Sequence, residues 1–242
     1  TIEHPIFKEQ CRDYFANTQF RKDLFIRGKN TLTPLEIQHR LRNTAFVLLI
    51  APEKLPTTIA GYLGEFDLLQ EVYQPLGAHF KNSDYQPQTL AQLEQVMPDI
   101  TYAKLLNALV ILCHLGLAQP CQHELSDETT QQAQKLNHYF LEQASYHTNY
   151  QVLACPLTGI GIPSDQFTQL FYRAHFVDGL NSASEFAQYV WDVLTQLRWL
   201  VLDKQGQPVS DTETSLKIIE EKAQFFLDSD KLKIAKQLKL FA

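Results

Sequence analysis

Few residues in this 242-residue chain stand at spacings that could do chemistry. Gly159-Ile160-Gly161 is the single Gly-x-Gly. Dinucleotide and S-adenosylmethionine sites need a glycine turn directly off a strand, opening a helix whose N-terminus faces the ligand. Here no third glycine follows, no acidic residue stands near the start of the motif, and Pro163 interrupts, so the stretch reads as a strand-to-helix turn. Cys113, His114, Cys121 and His123 are close enough in sequence to raise a zinc site. Structural zinc ligands pair as C-x2–4-C and H-x3–5-H, and this spacing matches neither. Cys113 also falls on an apolar helical face, where a thiol behaves as a small hydrophobe. No Gly-x-Ser-x-Gly elbow is present, and isolated histidines such as His138 and His175 read as surface or satisfied core positions. No catalytic, cofactor-binding or metal-binding residue is therefore assigned.

The elements that would position any site are mostly helices. A first helix is expected from about Pro5 to Phe25, with Phe7, Cys11, Tyr14, Phe15 and Thr18 on one face and Gly28 after its end. Thr33-Pro34-Leu35-Glu36 opens a second, short helix through a capping box. Ala45 to Ala51 reads as a buried strand, and Thr57 to Phe80 as a hairpin or irregular region. Asn82-Ser83-Asp84 with Pro87 is a turn cluster, placing a domain boundary at 84/85. Leu90 to Met97 and Tyr102 to Cys113 follow as helices, then Leu117 to Cys121 as an extended piece. Two helices joined by a tight turn and followed by an extended segment resemble a winged helix.

Ser126-Asp127-Glu128 starts another helix, with Ala133, Leu136, Phe140 and Ala144 inward. Tyr150 to Leu157 is a strand candidate. Ser164-Asp165 and the box Ser182-x-x-Glu185 open two more helices. Trp199 to Leu202 and Gln207 to Val209 flank a hairpin turn at Gln205-Gly206, again a winged-helix ending. Two amphipathic helices close the chain, carrying Leu216, Ile219, Ala223 and Phe226, then Leu232, Ala235 and Leu238. The expected fold class is α+β, mainly helical, with small β-elements and winged-helix-like subdomains.

Composition narrows the function classes. Hydrophobic content of 45% with 20% charged residues is ordinary for a globular protein. A net charge of −6 opposes a broad electrostatic grip on nucleic acid or an anionic membrane. The helix from Tyr102 offers Lys104 and Asn107 but is otherwise apolar, and the one from Ser184 carries Glu185 and Asp192 without Lys or Arg. Such faces are made for protein rather than for DNA. Four widely spaced cysteines are no disulfide framework and fit a reducing cytoplasm. The longest apolar run, Ala45 to Ala51, is too short for a bilayer. No signal peptide is visible in Thr1 to Gln10. The chain has one Met, Met97, and none at its start, so it reads as a piece of a longer protein.

Near the front stand Glu9-Gln10, Asp13-Tyr14, Asn17, Phe20-Arg21, Leu24 and Arg27, an E-Q-x-x-D-Y-x-x-N-x-x-F-R-x-x-L-x-x-R pattern. It resembles the methyltransferase regulatory domain, a module that follows the catalytic domain in some bacterial methyltransferases. Leu115-Gly116-Leu117, the Pro156-Leu157-Thr158-Gly159 turn and the Phe226-Leu227…Leu232 pattern are similar to the winged-helix-like C-terminal region of bacterial protein-lysine methyltransferases. The resemblance implies a regulatory-domain part at 1–84 and a helical winged-helix-like part at 85–242. It also implies S-adenosylmethionine bound by a separate upstream domain and no catalysis by this chain alone. The expected partners are that upstream domain, a protein substrate or a second copy, with no membrane and with nucleic acid disfavoured. Arg21 and Arg27, cations within the motif, are the partner-contact candidates; the rest of the basic cluster (Arg12, Lys22, Lys29, Arg40, Arg42) reads as a solvated face. The alternative reading is a winged-helix nucleic-acid-binding regulator.

Overall fold

The computed structural model describes residues 2–17, 28, 31–61, 64–122, 124–203 and 205–241. It is α+β and mainly helical, with small antiparallel sheets. Two compact units are present, Thr1–Ile37 and Gln38–Ala242.

In the first unit, α1 spans Pro5–Phe15, with His4 Nδ1 accepting the Phe7 N–H at the N-cap. The helix ends earlier than its periodicity suggests: Asn17 takes a left-handed φ of 49°, a conformation Asn tolerates and helices do not continue through. Positions 18–27, and with them Arg21 and Arg27, lie outside the described residues. α1 leaves Ile6, Phe7, Tyr14 and Phe15 exposed, the last at 88%. α2, Pro34–Asn43, opens with the expected box: Thr33 N–H donates to Glu36 Oε2 at 2.7 Å, and Glu36 N–H to Thr33 Oγ1 at 3.3 Å. The division between units falls inside α2.

The second unit begins with β1, Ala45–Leu48. A one-turn 3-10 segment at Pro52–Lys54 and an exposed hairpin, β2 Thr58–Gly61 with β3 Gly64–Asp67, follow. Then come α3 Gln70–Asn82, β4 Gln88–Thr89, α4 Leu90–Val96, α5 Tyr102–His114 and β5 Ala118–Pro120. β1 is the central strand of a three-stranded antiparallel sheet. It pairs with β4 through Ala45–Thr89 and Phe46–Gln88, and with β5 through Val47–Gln119 and Leu48–Ala118. The helix–strand–helix–helix–strand order is that expected of a winged helix. Leu76, Phe80, Leu90, Leu93, Leu105 and Leu109 fill the space beneath the sheet and are essentially buried. Each contributes about 1.5–3 kcal/mol of burial. Because β1 precedes position 84 while β4 and β5 follow it, one sheet crosses the boundary placed at 84/85.

α3 differs from the expected irregular region. Pro75 lies inside it and Gly77 follows, two residues that read as breakers. Gly77 is needed for close approach: a Cβ there would sit 3.0 Å from both Pro52 Cβ and Leu55 Cδ1. Burial of Val72, Tyr73, Leu76 and Phe80 outweighs the weak propensity.

The rest of the unit holds α6 Asp127–Gln143, the hairpin β6 Val152–Cys155 and β7 Ile160–Pro163, α7 Gln166–Phe176, α8 Ala183–Leu197, the hairpin β8 Val201–Leu202 and β9 Pro208–Val209, α9 Thr212–Leu227 and α10 Lys231–Gln237. Ser126, Asp165, Ser182 and Asp211 cap their helices by side-chain hydrogen bonds. Arg198, left-handed at φ 55°, terminates α8. Phe171 joins α7 to α8 and α9, its ring centroid 5.7 Å from Phe186 and 5.2 Å from Phe226. The chain end is part of the core: Leu238, Leu240 and Phe241 are buried, and Phe241 stacks on Phe176 at 4.7 Å. Among the described residues no helix is long and apolar enough to cross a membrane.

Candidate interaction site

An open groove of about 640 Å³ lies between the β8–β9 hairpin and α9. Its shape follows from local sequence. Asp203 Oδ1 accepts the N–H groups of Gln205 and Gln207, both at 2.8 Å, and Gly206 takes φ 77°, which fixes a tight turn. In β8 the alternation buries Val201 and turns Leu202 outward. α9 begins at the Asp211 cap, whose carboxyl is held below its usual range by hydrogen bonds from Thr214. One face of α9 buries Ile219, Ala223 and Phe226. The opposite face presents Ile218 and Phe225 to the groove, rimmed by Lys217, Glu221 and Lys222. Phe225 is 63% exposed and carries Lys54 Nζ 3.7 Å above its ring. The lining has apolar floor and mixed-charge rim, and no histidine or cysteine. Such a surface can hold an amphipathic segment; it offers no nucleophile–base pair.

The helices weighed as DNA readers are engaged within the fold. Lys104 of α5 pairs with Glu71 at 2.8 Å, while Val110 on its outer face is exposed. On α8, Glu185 closes the capping box and Asp192 accepts from Gln188 at 2.8 Å. Of the basic cluster, Arg42 has a specific role: it reaches Glu94 with two hydrogen bonds of 2.7 and 3.0 Å and lies 4.7 Å over the Tyr102 ring, joining the last turn of α2 to α4 and α5 within the second unit. Arg12 pairs with Glu9 at 2.7 Å within α1.

The Gly-x-Gly stretch is a hairpin, which corrects the strand-to-helix reading. Gly159 turns the chain at φ 71°, and Gly161 pairs with Ala154 inside β7. A Cβ on Gly161 would meet Val152 Cγ2 at 2.5 Å, so close strand packing accounts for that glycine. His123 lies outside the described residues, among which no cluster of three metal-ligating side chains occurs. Cys121 and Cys155 are buried, and burial, helped by the neighbouring thiols, pushes Cys121 up to about 12. Burial likewise raises Cys155 and Cys113. These thiols fill space rather than react.

Sequence periodicity missed Asn137. Its amide is fully buried, donates to Ala154 O at 2.8 Å and Leu240 O at 2.9 Å, and accepts the Ala154 N–H at 2.6 Å. It therefore ties α6, β6 and the chain end together. The apolar stripe read on α6 put Leu136 inward; with Asn137 turned to the core, Leu136 is 45% exposed.

No family model matches the chain, and no solved structure matches it significantly. A curated relative from Synechocystis sp., named uncharacterized protein sll1526, is 29% identical over 240 residues. The alignment covers 98% of this chain and 46% of the relative, so the chain spans about half the length of the curated relative it matches.

Proposed function

We propose that this chain is the non-catalytic, partner- and substrate-engaging region of an S-adenosylmethionine-dependent methyltransferase that modifies protein. The observation that carries the reading is the Glu9…Arg27 pattern, which resembles the methyltransferase regulatory domain. The exposed apolar groove between the β8–β9 hairpin and α9 supports a contact role. Its apolar floor and mixed-charge rim suit a protein segment. The relative named above has more than half its length outside the match, room in that protein for a further domain. The methyl donor is assigned to such a domain, and four unpaired cysteines accord with a cytoplasmic setting.

The runner-up is a nucleic-acid-binding regulator, favoured by the winged-helix order of elements. Against it stand the Lys104–Glu71 pair and the acidic face of α8, since phosphate contacts need free cations.

The test is transfer of tritiated methyl groups into protein by the full-length gene product, with and without Phe225→Glu. The proposal expects the variant to lose protein methylation while its S-adenosylmethionine affinity stays unchanged. Unaltered methylation would overturn the groove's part in it. Specific binding of this chain to duplex DNA would favour the runner-up.

A further inference from the structure

Among the described residues, four aromatic rings hold a cation from the same chain. Lys54 lies over Phe225, Lys222 over Phe167 at 4.3 Å, Arg42 over Tyr102, and Lys231 lies 5.8 Å from Phe226. One exposed aromatic cluster departs from this. Tyr139 and Phe140 at the end of α6 meet Tyr150 in the following loop, with ring centroids 6.0 and 5.0 Å apart, and His147 lies 5.4 Å from Tyr150. Tyr139 is 45% exposed and Tyr150 37%. Among the described residues no cation lies over any of these rings.

Between Lys135, one turn before Tyr139 on α6, and Arg173, which donates to Ser145 Oγ at 3.1 Å, there is no lysine or arginine, and the only carboxylates in that stretch are Glu142 and Asp165. Glu142 stands one turn beyond Tyr139 on the same helix face, is exposed, and has no described side-chain partner. Asp165 is occupied in capping α7. His147 Nδ1 lies 3.3 Å from the Asn149 N–H, and Nε2 lies 3.0 Å from Gln143 Oε1. The cluster is also held rigidly. Buried Gln169 donates to Tyr150 O at 2.7 Å and Ser164 O at 3.0 Å, and Gln166 donates to Ala144 O at 2.7 Å.

A preorganised π surface beside an exposed carboxylate, with no cation seated over its rings among the described residues, is complementary to a positive side chain from outside. We infer that the Tyr139–Phe140–Tyr150 shelf with Glu142 binds a lysine or arginine side chain of a basic polypeptide segment. The inference rests on the substrate-engaging reading above and gives it a recognition chemistry.

The experiment is fluorescence anisotropy of a labelled hexalysine peptide with the full chain, at low and high salt, beside hexaglutamate and a thymidine oligonucleotide. The expected result is binding of hexalysine alone. Tyr139→Ala and Glu142→Lys should each weaken it at least about tenfold, while Tyr139→Phe, which keeps the π face, stays within about twofold. Glu128→Lys, about four turns from Glu142 on α6, is the control for general acidity. Equal loss in Glu128→Lys and Glu142→Lys, or unchanged affinity in Tyr139→Ala, would overturn the proposal. So would oligonucleotide binding that depends on Tyr139. Circular dichroism verifies that each variant folds, and Tyr139 and Glu142 are both exposed. The assay needs no methyl donor, so its failure is separable from failure of the methyltransferase reading.

Discussion

The Tyr85 hydroxyl donates a 2.6 Å hydrogen bond to Asp230 Oδ2, joining the turn after α3 to the residue that opens α10 across 145 positions of sequence. Tyr85 is fully buried, with φ 58°. Lys81 and Lys233 each approach the Asp230 carboxylate to 3.5 Å, and Lys81 also pairs with Glu53. The link fastens the C-terminal segment to the sheet-bearing first half of the unit.

Tyr85→Phe removes the donor and leaves a largely buried carboxylate short of a partner. The expected loss is about 1.5–3 kcal/mol in urea unfolding, as for hydrogen bonds to charged groups. Burial works against ionisation of Asp230, but the Tyr85 hydrogen bond and the two lysines outweigh it and hold the carboxyl below its ordinary value. A carboxyl depressed in the folded state stabilises fully above its unfolded pKa and ceases to as pH falls through the folded one. The difference between wild type and Tyr85→Phe should therefore be constant near neutrality and shrink below about pH 4.

Asn137→Leu should cost about 3 kcal/mol or more, because three backbone groups, two at half-buried Ala154 and one at buried Leu240, lose their partner together. Hydrogen exchange should show the amides around Leu240 deprotected before those of α5. Equal protection across the unit would contradict the role given to this side chain.

Thiol titration provides a probe without mutation. Cys121 and Cys155, buried and with raised pKa values, should resist a disulfide reagent at neutral pH and react when urea is added. Fast labelling of either in the native protein would refute their packing role.

Gly159→Ala should destabilise by about 1 kcal/mol, through the left-handed φ of 71°. The close approach of a Cβ to Gln122 Nε2, at 2.1 Å, is relieved by that flexible side chain. A thermal melt compares it with Gly116→Ala, also left-handed at φ 71° but with open space around it. Similar losses would locate the cost in the backbone.

Helix starts were the most legible part of the fold, because Thr33 and Ser182 each stand three residues before the glutamate that completes the cap, and Ser126 precedes the acidic first turn of α6. The β8–β9 hairpin was legible from its glycine turn. α3 was not, since Pro75 and Gly77 speak locally against a helix that only tertiary burial sustains. The aromatic shelf was hidden for a related reason. A purely apolar reading of α6 turns Leu136 inward and leaves polar Asn137 outside, whereas three backbone partners bring Asn137 into the core and rotate the stripe. The groove depends on a hairpin meeting a distant helix face, which no local pattern encodes. The motif cations Arg21 and Arg27 lie outside the described residues.

The most direct measurement is calorimetric titration of S-adenosylmethionine into this chain and, separately, into the full-length gene product. The account predicts heat of binding for the full-length protein and none for this chain. Tight binding by this chain alone would contradict it, and would place a methyl-donor site within these 242 residues.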